Sequence, residues 1–147
     1  MALLSALEIE TTWRQNGGRP DAADIAAAVA LAESGGDTTT INNTAFPNRP
    51  GYHVPALGNL PEYSVGLWQI NLLAHPQYTE ADLLTPDGNA AAAIAISADG
   101  TLWGAWSTFN TPKYYAALNS IREATGGPTV TPPVAATAEP TSALGGW

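Results

Sequence analysis

The 147-residue chain has no cysteine, and only five lysines and arginines stand against thirteen aspartates and glutamates, for a net charge of −8. Each shortage removes a class of function. Without thiols there is no disulfide, no zinc–thiolate centre and no cysteine nucleophile. Without a basic cluster there is no footprint for a nucleic-acid backbone or for an anionic membrane surface, so neither is predicted as a partner. His53 and His75 are the only histidines. They lie in unrelated segments without HxxxH spacing, so no metal site and no other cofactor is expected. No GxSxG elbow supports a serine nucleophile. Residues 1–18 lack a positively charged leader, and Glu8 and Glu10 interrupt their apolar run; no signal peptide and no membrane span is predicted. What remains is enough chain for one domain with a real core. Its acidic, charge-poor composition suits a neutral or sugar-based ligand better than an anionic polymer drawn in from a distance.

The local patterns predict an α+β fold that is predominantly α. Residues 3–15 read as a helix with Leu3, Leu4, Leu7 and Trp13 available to one side, ended by Gly17 and Gly18. Asp21 reads as the N-cap of a second helix over about residues 22–33, apolar nearly all round and therefore buried. Gly35 or Gly36 supplies its left-handed terminus. Residues 37–63 are rich in Asn, Thr, Pro and Gly and read as a long loop. The stretch "SVGLWQIN" alternates like a strand, which puts Leu67, Gln69 and Asn71 on one face and Trp68 and Ile70 on the other. Thr79 is a cap for a short helix over residues 80–84. Thr85-Pro86 and Thr111-Pro112 each place a cap before a proline at the first helical position, and Gly126-Gly127 stops the last helix. Residues 1–125 are thus expected to form the domain, with residues 126–147, rich in Pro, Thr and Ala, as a flexible tail or linker.

Glu33 is the residue out of place. At a helix C-terminus the macrodipole disfavours a negative charge by some tenths of a kcal/mol to about 1 kcal/mol, and burial acts in the same direction. Both favour the neutral acid, which a general acid requires. Gln69 and Asn71 place two amides side by side on the strand-like stretch that begins at Ser64, and amides meet the mixed donors and acceptors of sugar hydroxyls and acetamido groups. Trp103, Trp106, Phe109, Tyr114 and Tyr115 crowd into thirteen residues. The tryptophans, one helical turn apart, read as core; Asn110 and a tyrosine, with polar tips, are better site candidates.

Taken in order, Glu33-Ser34 at a helix end, "GLWQIN" about thirty residues later, and Asn110 four residues ahead of the pair Tyr114-Tyr115 resemble the lytic transglycosylase and goose-type lysozyme superfamily. The form is similar to the lysozyme-like domains of bacteriophage tail proteins, and the resemblance covers residues 5–123. It implies a lysozyme-like fold with a cleft, and cleavage of the β-1,4 bond between N-acetylmuramic acid and N-acetylglucosamine in bacterial peptidoglycan. Glu33 falls on the catalytic acid. Ser34, Ser64, Gln69, Asn71, Asn110 and Tyr115 are the implied substrate-binding residues. Trp68 stands where methionine is usual, and "TFNTPKYY" replaces an Asn-Ala-Gly segment, so the loop carrying Asn110 is expected to differ in shape. Ordinary glycoside hydrolysis uses two carboxyl groups, whereas the resemblance implies that one acid suffices. Asp37 and Glu62 are the only carboxylates near the motifs that offer a second. The implied setting is a phage tail, with other tail proteins as partners, or delivery to the cell wall. The alternative is a weakly active lysozyme-like component that binds the wall or builds the virion.

Overall fold

A computed structural model describes residues 3–43 and 62–132. Among the described residues are five helices and a small three-stranded sheet: α1 (Ala6–Gln15), α2 (Ala23–Ser34), β1 (Ile41–Asn43), β2 (Tyr63–Val65), β3 (Ile70–Asn71), α3 (Glu80–Leu83), α4 (Pro86–Ile96) and α5 (Pro112–Thr125). The predominantly α, α+β class predicted from the patterns is the class observed. Among the described residues, no helix is long and apolar enough to cross a membrane.

Helix α2 is the axis of the domain. Alanines fill most of its surface, and residues 26–30 are entirely shielded from solvent. Small side chains let neighbouring helices approach closely, and α1 and α5 both pack along it. Helix α1 presents Ile9 and Trp13, four residues apart and fully buried. Trp13 opens an aromatic chain: its ring centroid is 6.0 Å from Trp68 and 5.8 Å from Trp103, which is 5.0 Å from Trp106. Trp103 and Trp106 are core, as their spacing predicts. An ion pair between Arg122 of α5 and Asp24 of α2, at 2.7 Å, ties the last helix to the axis.

Most helix ends follow the predicted chemistry. Thr79, Thr85 and Thr111 each accept a bond from a backbone N–H in the first turn of α3, α4 and α5, and Gly126 ends α5 in the left-handed conformation. Two starts differ. Helix α1 begins at Ala6 because Ser5 and Glu8 form a reciprocal capping box. Asp21 does not cap α2: it lies inside a 3-10 turn, Pro20–Ala22, and pairs with Arg19 at 2.8 Å. Proline at the first position of that tight turn pre-sets its backbone and moves the start of α2 to Ala23.

The larger corrections concern the sheet. The predicted loop over residues 37–63 contains β1, which runs antiparallel to β2, with Asn42 opposite Ser64; residues 44–61, including His53, lie outside the described residues. "SVGLWQIN" is not one strand but a hairpin. Its chain turns at residues 66–69, with Gly66 at φ 80° and Gln69 at φ 50°, and β3 returns to place Asn71 opposite Ser64. The predicted two-sided alternation therefore fails between Leu67 and Gln69.

The cause is Asn89, fully buried on α4. Its Oδ1 accepts from the Trp68 N–H at 2.8 Å, and its Nδ2 donates to the carbonyls of Val65 and Leu83, both at 2.8 Å. One side chain thus satisfies the backbone of the turn in place of strand pairing. A Cβ on Gly66 would lie 2.3 Å from Asn89 Nδ2 and from the Leu83 carbonyl, so only glycine fits there.

Candidate active site

Glu33 is the penultimate residue of α2, which Gly35 ends with φ 68°. That abrupt stop leaves the carboxyl half-buried at the helix end, opposite the segment that precedes α5. The Thr108 hydroxyl donates to Glu33 Oε2 at 2.7 Å. Burial pushes the Glu33 pKa up, above the usual carboxylate value of 4.5. Hydrogen bonds from the Thr108 side chain and backbone and the charge of Lys113 oppose this, whereas the negative charge of Glu62 adds to it. Desolvation prevails, so Glu33 keeps its proton to higher pH than an exposed glutamate does.

Of the two other carboxylates singled out in the sequence, it is Glu62 whose charge acts on Glu33. Its Oε2 accepts from Ser64 Oγ at 2.7 Å, which orients it at the start of β2. Asp37 instead accepts from the backbone N–H and the hydroxyl of Thr39, at 2.8 and 2.7 Å. Those bonds hold its carboxyl below the usual range.

The remaining predicted residues fall into three groups. Ser34 and Gln69 hold the framework. Ser34 Oγ donates to the Leu67 carbonyl at 2.7 Å, joining the end of α2 to the hairpin turn. Gln69 donates through Nε2 to the carbonyls of Thr40 and Gly66, both at 3.0 Å, and accepts from Asn42 at 2.6 Å through Oε1. Asn110 and Tyr115 form a pair, the Tyr115 hydroxyl donating to Asn110 Oδ1 at 3.1 Å; among the described residues neither is hydrogen-bonded to Glu33. Tyr114 is buried against Phe109, and burial pushes its phenol up to about 12.

Asn71 makes the third group; it lines a pocket, as Gln69 also does. This pocket, of about 280 Å³, lies between the hairpin, the end of α4 and the Ala105-Trp106 step. Asn71 Oδ1 accepts from the Tyr63 and Leu73 N–H groups at 3.1 and 3.0 Å. Asn71 Nδ2 makes no hydrogen bond among the described residues. Ile70, Ile96 and Ala105 supply apolar wall to the same pocket, and His75 also lines it. An amide donor next to an apolar wall matches an acetamido group, with its carbonyl on Asn71 and its methyl against carbon.

One short segment couples the pocket to the acid. Trp106 lines the pocket and donates from its indole to the Trp68 carbonyl at 2.7 Å; two residues later Thr108 binds Glu33. Two residues span at most about 7 Å of backbone, so the segment that walls the pocket also carries the hydrogen-bond partner of the acid. Thr108, the hydrogen-bond partner of Glu33, and Asn89, the clamp of the hairpin turn, are the residues that sequence reasoning missed. Asn89 had a signal, being a lone amide in a run of alanines; Thr108 had none, because its partner is 75 positions away.

A family model described as a lysozyme-like domain matches residues 10–108, a span that holds Glu33, the hairpin, the pocket wall and Thr108. No curated protein and no solved structure matches the chain. The chain belongs to the lysozyme-like domain family.

Proposed function

We propose that this protein cleaves the β-1,4 bond between N-acetylmuramic acid and N-acetylglucosamine in bacterial peptidoglycan, with Glu33 as the general acid. Membership of the lysozyme-like family supports a peptidoglycan-acting glycosidase at the superfamily level. The observation that carries the finer reading is Glu33 itself, a desolvated carboxyl with a raised pKa at the end of a buried helix. The pocket that Trp106 walls, two residues before Thr108, offers amide and apolar surface, the chemistry an N-acetyl group requires.

Under this proposal, Glu33 delivers its proton to the glycosidic oxygen as the bond to C1 breaks and the N-acetylglucosamine end leaves with a hydroxyl. The carboxylate left behind takes the proton of the muramic acid 6-hydroxyl as that oxygen closes on C1, giving a 1,6-anhydro end and restoring the acid. One carboxyl group serves both steps, and the substrate's acetamido oxygen is available to support the developing positive charge. Glu62 then acts on the energy of Glu33 without taking part in proton transfer. Glu62→Gln should keep the rate within a few-fold of wild type while moving the high-pH limb of the rate profile downward, since a like charge that raises the Glu33 pKa is removed. A loss of more than about a hundredfold would make Glu62 the base of a hydrolase instead.

The pocket gives a second expected outcome. Asn71→Asp removes the amide donor and keeps the oxygen that accepts from the Tyr63 and Leu73 N–H groups; it should raise KM on a soluble glycan about three- to tenfold, the worth of one ordinary hydrogen bond. An unchanged KM would detach the pocket from the substrate. The net charge of −8 provides no attraction toward an anionic wall, which fits delivery by a larger assembly such as a phage tail. A free secreted monomer as the main form would contradict that setting.

Purified sacculi test the proposal. With the wild-type protein they should lose turbidity and release soluble saccharide. Sacculi that sediment the protein yet stay turbid would make it a wall-binding module.

A further inference from the structure

We infer that Thr108 is the positioning residue that decides which oxygen of Glu33 carries the catalytic proton. The inference rests on the proposed role of Glu33 as the acid. A carboxyl group has two oxygens, and only the one facing the scissile bond can usefully be protonated. Thr108 Oγ1 lies 2.7 Å from Glu33 Oε2 and donates to it. An oxygen that accepts a hydrogen bond in this way favours the unprotonated, carbonyl-like role, so the proton resides on Oε1.

The donor is held rigidly. Its own carbonyl accepts from the Thr111 N–H at 3.1 Å and from the Thr111 hydroxyl, and Thr111 is at the same time the N-cap of α5. Two residues upstream, Trp106 is anchored in the core by its indole bond to the Trp68 carbonyl. Thr108 therefore cannot follow Glu33 if the acid swings; the acid must orient to Thr108. The same hydrogen bond serves the second half of the reaction. Once the proton has left, Oε2 is already solvated by the Thr108 hydroxyl, and Oε1 is the oxygen free to accept the proton of the 6-hydroxyl. One fixed hydroxyl thus keeps both proton transfers on a single oxygen.

The test compares wild type with Thr108→Val, Thr108→Ala and Thr108→Ser. Two readouts are taken: the pH–rate profile on a soluble glycan, and the titration of the Glu33 side chain followed by carbon NMR in labelled protein. Valine keeps the shape and removes the donor; alanine removes it without any steric demand, should valine disturb the loop. All variants retain the backbone N–H, so differences report the hydroxyl alone. Both donor-less variants should lower kcat about tenfold or more with little change in KM, as expected when a reacting group is misoriented and substrate binding is intact. Both should also move the Glu33 titration upward, since a hydrogen bond to the carboxylate has gone. Serine should restore rate and titration together. An unmoved titration in valine and alanine, or a serine variant as slow as alanine, overturns the inference. A wild-type protein that cuts no glycan fails the proposed function instead, and the titration separates the two failures because it needs no activity.

Discussion

Glu33→Gln should lower the rate of glycan cleavage by about a thousandfold while making the protein more stable. The amide keeps the shape of the acid and can still accept from Thr108, but it has no proton to give. Loss of a positioned general acid costs on the order of 10²–10⁴ in rate. The gain in stability follows from the position. An ionised Glu33 is desolvated and sits at the negative end of α2, a location that disfavours charge by about 0.3–1 kcal/mol from the dipole alone. The sign with pH follows from proton uptake. The folded-state pKa is raised, so between the unfolded value near 4.5 and the higher folded value the native state holds the extra proton. Stability linked to that proton is complete below the unfolded value and is lost as pH rises through the folded one. Thermal melts of both proteins should therefore diverge with rising pH, the glutamine variant staying higher. Activity should fall across the same window, because the neutral acid is the working form. A variant that is inactive but destabilised would point to a structural role for Glu33 instead.

Asn89→Leu should cost about 3–5 kcal/mol of folding stability, without touching the substrate. Leucine has the same branched shape, so lost polarity is the main cost, and its bulkier methyl groups add to it at this fully buried site. The Trp68 N–H and the carbonyls of Val65 and Leu83 would be left in the interior without their Asn89 partner. An unsatisfied buried group costs roughly 1–3 kcal/mol, and some relaxation of the turn returns part of the sum. For a domain of this size the midpoint of thermal unfolding should fall by about 10–20 °C. Circular dichroism melts measure it directly. A shift of only a few degrees would mean that the hairpin holds its turn by other contacts. Loosening of the hairpin should also blur the pocket, since Gln69, Ile70 and Asn71 follow directly on the clamped residues.

These two residues also mark what the sequence makes legible. Glu33 declares itself by local rules: a charge at the wrong end of an apolar helix, followed by two glycines. The same is true of the caps at Thr79, Thr85 and Thr111, whose bonds reach only three residues ahead. Local rules fail where a partner is distant. The alternation in "SVGLWQIN" reads as a strand because nothing within it announces that Asn89, more than twenty positions later, takes over the backbone of Trp68 and Val65. Asp21 satisfies the composition of an N-cap, yet Pro20 and Arg19 draw it into a different turn. Ser34, Gln69 and Asn71 are visible as polar residues in suggestive places. That Ser34 and Gln69 bind the framework while Gln69 and Asn71 line a pocket depends on tertiary contacts with Leu67, Thr40 and Tyr63.

Mass spectrometry of the soluble fragments released from purified sacculi, by wild type and Glu33→Gln in parallel, tests the central claim most directly. The account predicts disaccharide-peptide fragments from the wild type alone, cut between N-acetylmuramic acid and N-acetylglucosamine and ending in muramic acid lighter by one water. Equal release by the two proteins, or fragments cut only within the peptide stems, would contradict Glu33 as the acid of a glycan-cleaving site.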